Sequence, residues 1–151
     1  AMSLPTTLPG STIINRPVEI AGGTYHITCA SVGNPHCVVF CDDPSALDLE
    51  TLGPKFERAS YFPERINTEF VRIVNEDTLR MRVYERGNGE TVACGTGACA
   101  AVIAATENGC VEKGKDITVK LVGGDLVVKY TDHEVILTGD AVLVYEGVVE
   151  Y

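Results

Sequence analysis

The stretch from residue 95 to residue 108 constrains this chain more than any other. Its middle, Ala98-Cys99-Ala100-Ala101-Val102-Ile103-Ala104-Ala105, presents apolar side chains on every face of a helix. Such a helix must be buried all round, and its small side chains let strands approach closely. Glycines and Thr96 open it, and Asn108-Gly109 gives a stop signal. The remaining residues must therefore supply walls around it.

Those walls read as strands. Residues 12–20, 24–32 and 37–41 are rich in β-branched and apolar residues, and Gly22-Gly23 reads as a hairpin turn between the first two. Residues 48–58 have helical spacing, with Leu49, Leu52 and Phe56 on one side and Asp48 as the N-cap; Pro54 keeps that helix short or kinked. Residues 69–74 and 78–84 read as an antiparallel pair turning at Asn75-Glu76-Asp77. After the apolar helix come short strands at 117–122, 125–130, 134–138 and 141–145. The expected fold is an α+β single domain over residues 1–151, a mostly antiparallel sheet wrapped around a central buried helix. Ala1-Met2-Ser3 reads as a vector-derived scar.

Composition narrows the partners. The net charge is -9 and no run of Lys or Arg interrupts it, so a phosphate backbone would be repelled and nucleic acid is not an expected partner. The apolar stretches are too short to span a bilayer, so no membrane partner is expected, and no secretory signal opens the chain. A cytoplasmic location with free thiols is expected. Six cysteines occur without a C-x-x-C pair, and His26, His36 and His133 are scattered, so no metal site is expected.

The chemistry concentrates where a strand runs through Arg82-Val83-Tyr84-Glu85-Arg86 into a glycine-rich turn that delivers Cys94 to the mouth of the apolar helix. Unsatisfied N–H groups there carry partial positive charge. A thiol at that place is expected to have a lowered pKa and to be the most reactive of the six. A carboxylate can dock on the same N–H groups at Gly95 and Thr96, where glycines leave room. A cysteine base beside a carboxylate cradle is what deprotonating an amino acid at its α-carbon requires. Arg86, at the strand end, is placed to hold a second carboxylate by a two-pronged contact. No Gly-Lys-Ser/Thr ends the turn, which excludes a Walker-type phosphate loop. A second constellation, Gly33-Asn34-Pro35-His36, follows a strand. Pro35 pushes Asn34 into an extended conformation and fixes the direction of the Asn34 amide and the His36 imidazole.

Taken in order, the Gly-Asn-Pro-His turn, Phe62-Pro63-Glu64-Arg65-Ile66-Asn67, the Glu-Arg-Gly-x-Gly-Glu-Thr run and Ala-Cys-Gly-Thr-Gly-Ala-Cys-Ala resemble diaminopimelate epimerase from about Pro5 onward. The ending Leu137-Thr138-Gly139 with Val144-Tyr145-Glu146-Gly147 fits the same pattern. The resemblance implies an isomerase that interconverts LL- and meso-diaminopimelate, in lysine and peptidoglycan precursor biosynthesis, without a cofactor. It implies Cys94 as a catalytic base, with His36 and Glu85 as polar groups beside the reacting centre. Asn34, Asn67, Glu85 and Arg86 become substrate-holding residues, Gly95 and Thr96 the α-carboxylate site, and Tyr145 a dimer contact.

The resemblance also sets an expectation about what this chain lacks. Members of that family are two similar lobes, each giving one cysteine, and this sequence matches the second lobe. None of Cys29, Cys37, Cys41 or Cys99 lies in a Cys-Gly-x-Gly setting that could replace the first-lobe cysteine. The fragment alone is thus expected to be inactive, with residues 141–151 forming a last strand that packs on the missing N-terminal lobe. Two other readings stay open: a related cofactor-independent racemase of another amino acid, and a non-catalytic amino-acid-binding lobe.

Overall fold

The structure, a computed structural model, describes residues 4–150. Among the described residues the strands are β1 (Arg16–Ile20), β2 (Gly23–Ser31), β3 (Pro35–Phe40), β4 (Asn67–Asn75), β5 (Thr78–Glu85), β6 (Gly89–Thr91), β7 (Asp116–Leu121), β8 (Gly124–Tyr130) and β9 (Val135–Thr138). Two α-helices, α1 (Leu49–Glu57) and α2 (Gly95–Glu107), complete this small α+β domain.

All nine strands share one sheet, in the order β1-β2-β3-β4-β5-β7-β8-β9, with β6 pairing β5. The sheet is mixed, with six antiparallel and two parallel strand pairings. β3 pairs β4 in parallel, and so does β5 with β7, while the other neighbours run antiparallel. Each parallel pair is joined by a connection that carries a helix, α1 in the first case and α2 in the second, and such crossovers return the chain in its original direction.

Alternation along the strands sorts side chains onto the two faces. Val38, Val71, Leu79, Met81 and Val119 pack with the alanines of α2, whereas Val39, Phe56, Ile66 and Phe70 form a second cluster with α1. The apolar helix is buried along Gly97–Val102 and at Ala104 and Ala105, and it touches β2, β3, β4, β5, β7, β8 and β9. α1 begins at the expected cap: the Thr51 N–H donates to Asp48 Oδ1 at 3.2 Å. Gly53 is required at its midpoint, since a Cβ there would stand 2.1 Å from the Tyr84 ring.

Two expectations are corrected. The first hairpin turns at Ala21-Gly22, not Gly22-Gly23; both loop residues have positive φ (57° and 78°) and Gly23 pairs with Ile20. That register buries Val18 and Ile20 together, and a slip by one residue would turn both outward. The second correction concerns the strand expected at 141–145. No strand forms over residues 141–150, and Val142, Val144, Tyr145 and Val148 are exposed. Alternating apolar residues make a strand only where a neighbouring strand accepts their hydrogen bonds, and here none does. Residues 1–3 and Tyr151 lie outside the described residues.

Candidate functional site

Cys94 is the N-cap residue of α2, with extended backbone (φ -144°, ψ 106°). Its Sγ accepts the Gly97 N–H at 3.3 Å and lies 3.6 Å from Thr96 Oγ1. The Ala98 N–H donates to the Cys94 carbonyl at 2.9 Å. Among the described residues the Gly95 and Thr96 N–H groups have no such partner, so two first-turn donors remain for a ligand. Access at Gly95 is bounded by Leu137, whose Cδ2 would sit 2.9 Å from an added Cβ. The space beside Gly97 is filled by the protein itself: an added Cβ would meet Glu69 Oε1 at 2.9 Å and Cys94 Sγ at 3.1 Å.

The expected lowering of the Cys94 pKa does not occur. Burial pushes the thiol above its ordinary value, and this outweighs the hydrogen bonds from Thr96 and the Gly97 N–H, which pull it down. The charges of Glu69 and Glu85 push it further up. Helix-terminal donors are present, but Cys94 is 9% exposed and its sulfur has lost too much water for them to prevail.

Parallel pairing of β3 with β4 brings the second constellation to the same place. His36 pairs with Asn67, and side chains two residues further along β4 share its face. His36 Nδ1 lies 2.7 Å from Glu69 Oε1, both side chains being fully buried. His36 Nε2 lies 3.0 Å from Asn34 Oδ1, and Asn34 Nδ2 donates to Thr96 Oγ1 at 3.3 Å. Asn34, His36, Thr96 and Cys94 are thus joined in one chain of contacts.

Asn67 and Arg86 form a neighbouring unit. Asn67 is buried; its Nδ2 donates to the Pro35 carbonyl at 2.9 Å and its Oδ1 accepts the Arg86 N–H at 2.9 Å. Its amide therefore ties the turn bearing Asn34 and His36 to the turn bearing Glu85 and Arg86. The Arg86 Nη1 donates to the Glu64 carbonyl at 3.1 Å, and the side chain makes no ion pair among the described residues. Glu85 accepts a hydrogen bond from Thr91 Oγ1. Tyr145 is exposed and makes no hydrogen bond to this group among the described residues.

Two acidic residues emerge that the sequence reading left unnoticed. Glu57, at the end of α1, accepts the Gly87 N–H at 2.8 Å and so anchors the turn after Arg86. Glu69 is fully buried beside His36, and burial raises its pKa, with His36 pulling the other way. A carboxylate in a strand reads as a solvent-facing residue; the signal available was its position two residues from both Asn67 and Val71, on the face that meets α2.

Comparison with known proteins decides the family. Residues 28–144 match the diaminopimelate epimerase family model, "Diaminopimelate epimerase". The chain belongs to the diaminopimelate epimerase family. The enzyme of that name from Thermosynechococcus vestitus is 46% identical over 154 residues, covering 97% of this chain and 54% of the relative. That from Bacillus cereus is 53% identical over 128 residues, covering 84% of this chain and 44% of the relative. The chain spans about half the length of the curated relatives it matches. Among solved structures, a phenazine biosynthesis protein of the PhzF family from Enterococcus faecalis has a similar fold. Its TM-score is 0.52 at 15% identity, over 72% of this chain and 40% of that one. A PhzF-family protein from Bacillus anthracis gives 0.50 at 22%, over 76% and 36%.

Proposed function

We propose that this chain supplies one half of the active site of a diaminopimelate epimerase. Cys94 is the proton-transferring group for one face of the substrate α-carbon. The observation that carries the reading is the seating of the Cys94 sulfur as the cap of α2, beside the first-turn N–H groups of Gly95 and Thr96, which have no hydrogen-bond partner among the described residues. A substrate carboxylate on those donors would set its α-carbon against the sulfur. Donors aimed at that carboxylate also favour the negative charge that spreads onto it when the α-proton leaves.

Cys94 as thiolate takes the α-proton, or as thiol delivers one, and inversion needs a second thiol on the opposite face. Cys99 lies inside α2, Cys29 on β2, Cys37 on β3 and Cys41 just beyond it, none of them in a Cys-Gly-x-Gly setting, and we assign the opposing group to a lobe outside this chain. Arg86 takes the distal carboxylate, on a turn braced by Asn67 and Glu57. Glu85 and His36 are polar groups beside the reacting centre that help orient the substrate, and Asn34 adds a side-chain amide at the same mouth. Tyr145, exposed and outside the site, is assigned to contact between chains. Six unpaired cysteines suit a reducing cytoplasm.

The test is to add LL-diaminopimelate to the purified chain and follow both chemistry and binding. The expected outcome is no meso product, with the Gly95 and Thr96 amide resonances and the Arg86 side chain shifting on titration. Formation of meso product would refute the half-site. No resonance change at high ligand concentration would refute the substrate assignment.

A further inference from the structure

The hydrogen-bond chain behind Cys94 has a direction, and that direction follows from which atoms can carry protons. Asn34 Nδ2 donates to Thr96 Oγ1, so Asn34 Oδ1 is the atom that faces His36 Nε2. An amide oxygen has no proton to give, so Nε2 must carry one. His36 Nδ1 meets Glu69 Oε1 at 2.7 Å, a contact that also needs a proton. The buried His36–Glu69 pair therefore holds two protons between them, either as imidazolium with carboxylate or as neutral imidazole with carboxylic acid. Among the described residues Glu69 Oε2 is buried without a hydrogen-bond partner, which makes an isolated carboxylate charge costly there. At the far end, Thr96 Oγ1 already accepts from Asn34, which frees its own hydrogen for the Cys94 sulfur 3.6 Å away.

We propose that Glu69 and His36 are positioning residues that polarise the chain His36–Asn34–Thr96 so that the Thr96 hydroxyl donates to Cys94 Sγ. The proposal rests on the reading of Cys94 as a base and names the groups that set its proton affinity. If the pair lost one proton, neutral His36 would direct its single N–H at Glu69 and leave a bare Nε2. The Asn34 amide would then turn its N–H groups to His36 and its oxygen to Thr96. Thr96 would donate to Asn34, and the sulfur would lose a donor. The titratable groups facing Cys94 are Glu69 on β4, Glu85 at the end of β5, Cys99 on α2 and, through the chain, His36 on β3. The Thr96 contact opposes the effect of burial on the thiol, in keeping with the same geometry.

The experiment follows the Cys94 peptide during iodoacetamide alkylation across pH in the 151-residue chain, and needs no turnover. Thr96→Val should slow alkylation at fixed pH below the thiol midpoint about tenfold, the usual scale for a hydrogen bond to a charged group. Thr96→Ser should restore the parent rate. Asn34→Asp gives Thr96 a carboxylate to donate to, so alkylation should slow, and Thr96→Val should add nothing further in that background. Thr96 is exposed and Asn34 only partly buried, so both variants should fold. Nitrogen NMR of His36 should show a protonated Nε2 at neutral pH. An unprotonated Nε2, an unaltered rate in Thr96→Val, or additive effects of the two variants would each overturn the proposal. Loss of diaminopimelate binding with these thiol effects intact would instead count against the substrate assignment alone.

Discussion

Glu69 reaches the mouth of α2 because Gly97 has no side chain: a Cβ at residue 97 would stand 2.9 Å from Glu69 Oε1. Alanine inside a helix ordinarily improves on glycine by roughly 1 kcal/mol. Gly97→Ala should do the opposite, with a loss of roughly 1–3 kcal/mol typical of overpacking a tight site. Urea unfolding of the two proteins measures it, and a more stable Gly97→Ala would show that the carboxylate can retreat without penalty.

Cys110 should be alkylated ahead of Cys94 at neutral pH. Cys110 is exposed, whereas Cys94 is nearly buried and its thiol is held above its ordinary pKa. Cys110→Ser should abolish the fast phase and Cys94→Ala should leave it. Peptide mapping after brief labelling decides the order, and first labelling at Cys94 would restore the helix-mouth reading of its reactivity.

Stability should fall as the solution becomes alkaline. Burial, with Asp42 and Asp43 adding to it, pushes the Cys41 thiol up to about 11 from an unfolded value of 9.0. Cys37, Cys94 and Cys99 move in the same direction, also through burial. Unfolded thiols lose their protons first, so the contribution is intact below about pH 9 and lost as pH rises through the folded values. The urea midpoint should decline between about pH 9 and 11, and Cys41→Ser should flatten part of that slope. An unchanged midpoint over the window would contradict it.

Ala21→Asn should raise the stability of the first hairpin. Ala21 has φ 57°, a left-handed conformation that alanine resists and asparagine tolerates, and Asn-Gly suits a two-residue turn with both φ values positive. The side chain is exposed, so the gain, roughly 0.5–1 kcal/mol, should come from the backbone alone. A thermal midpoint that does not rise would contradict this account of the turn.

Legibility in the sequence followed locality. The cap at Asp48, the all-apolar α2 and the seat of Cys94 at its mouth were readable because each depends on residues within a turn or two. The parallel pairings were not, since nothing local tells β4 to lie beside β3 in the same direction. His36 and Glu69 are 33 residues apart, and only that pairing makes them neighbours. The same limit explains the last strand. The alternation of apolar residues after Gly139 was readable, but a strand also needs an edge to join. Asn67 shows a different gap: the family resemblance implied a substrate contact, while its observed bonds reach two backbone segments of the protein itself.

The parallel contact between β5 and β7 spans only Thr78 to Arg80 against Thr118 to Lys120, whereas β4 and β5 pair along nearly their whole length. This short seam joins the strands up to β5 to the β7–β9 meander, and 40 residues of chain separate Thr78 from Thr118. Each side can assemble largely from neighbouring hairpins, but closing the seam must wait for that long loop to be gathered in, a step whose entropy is lost before contacts repay it. α2 lies in the loop and touches strands on both sides of the seam, so it acts as the clasp. Folding should accordingly be limited by docking of α2. Under mild denaturant the β7–β9 meander should then exchange its amide hydrogens as one cooperative unit before β2–β5 open.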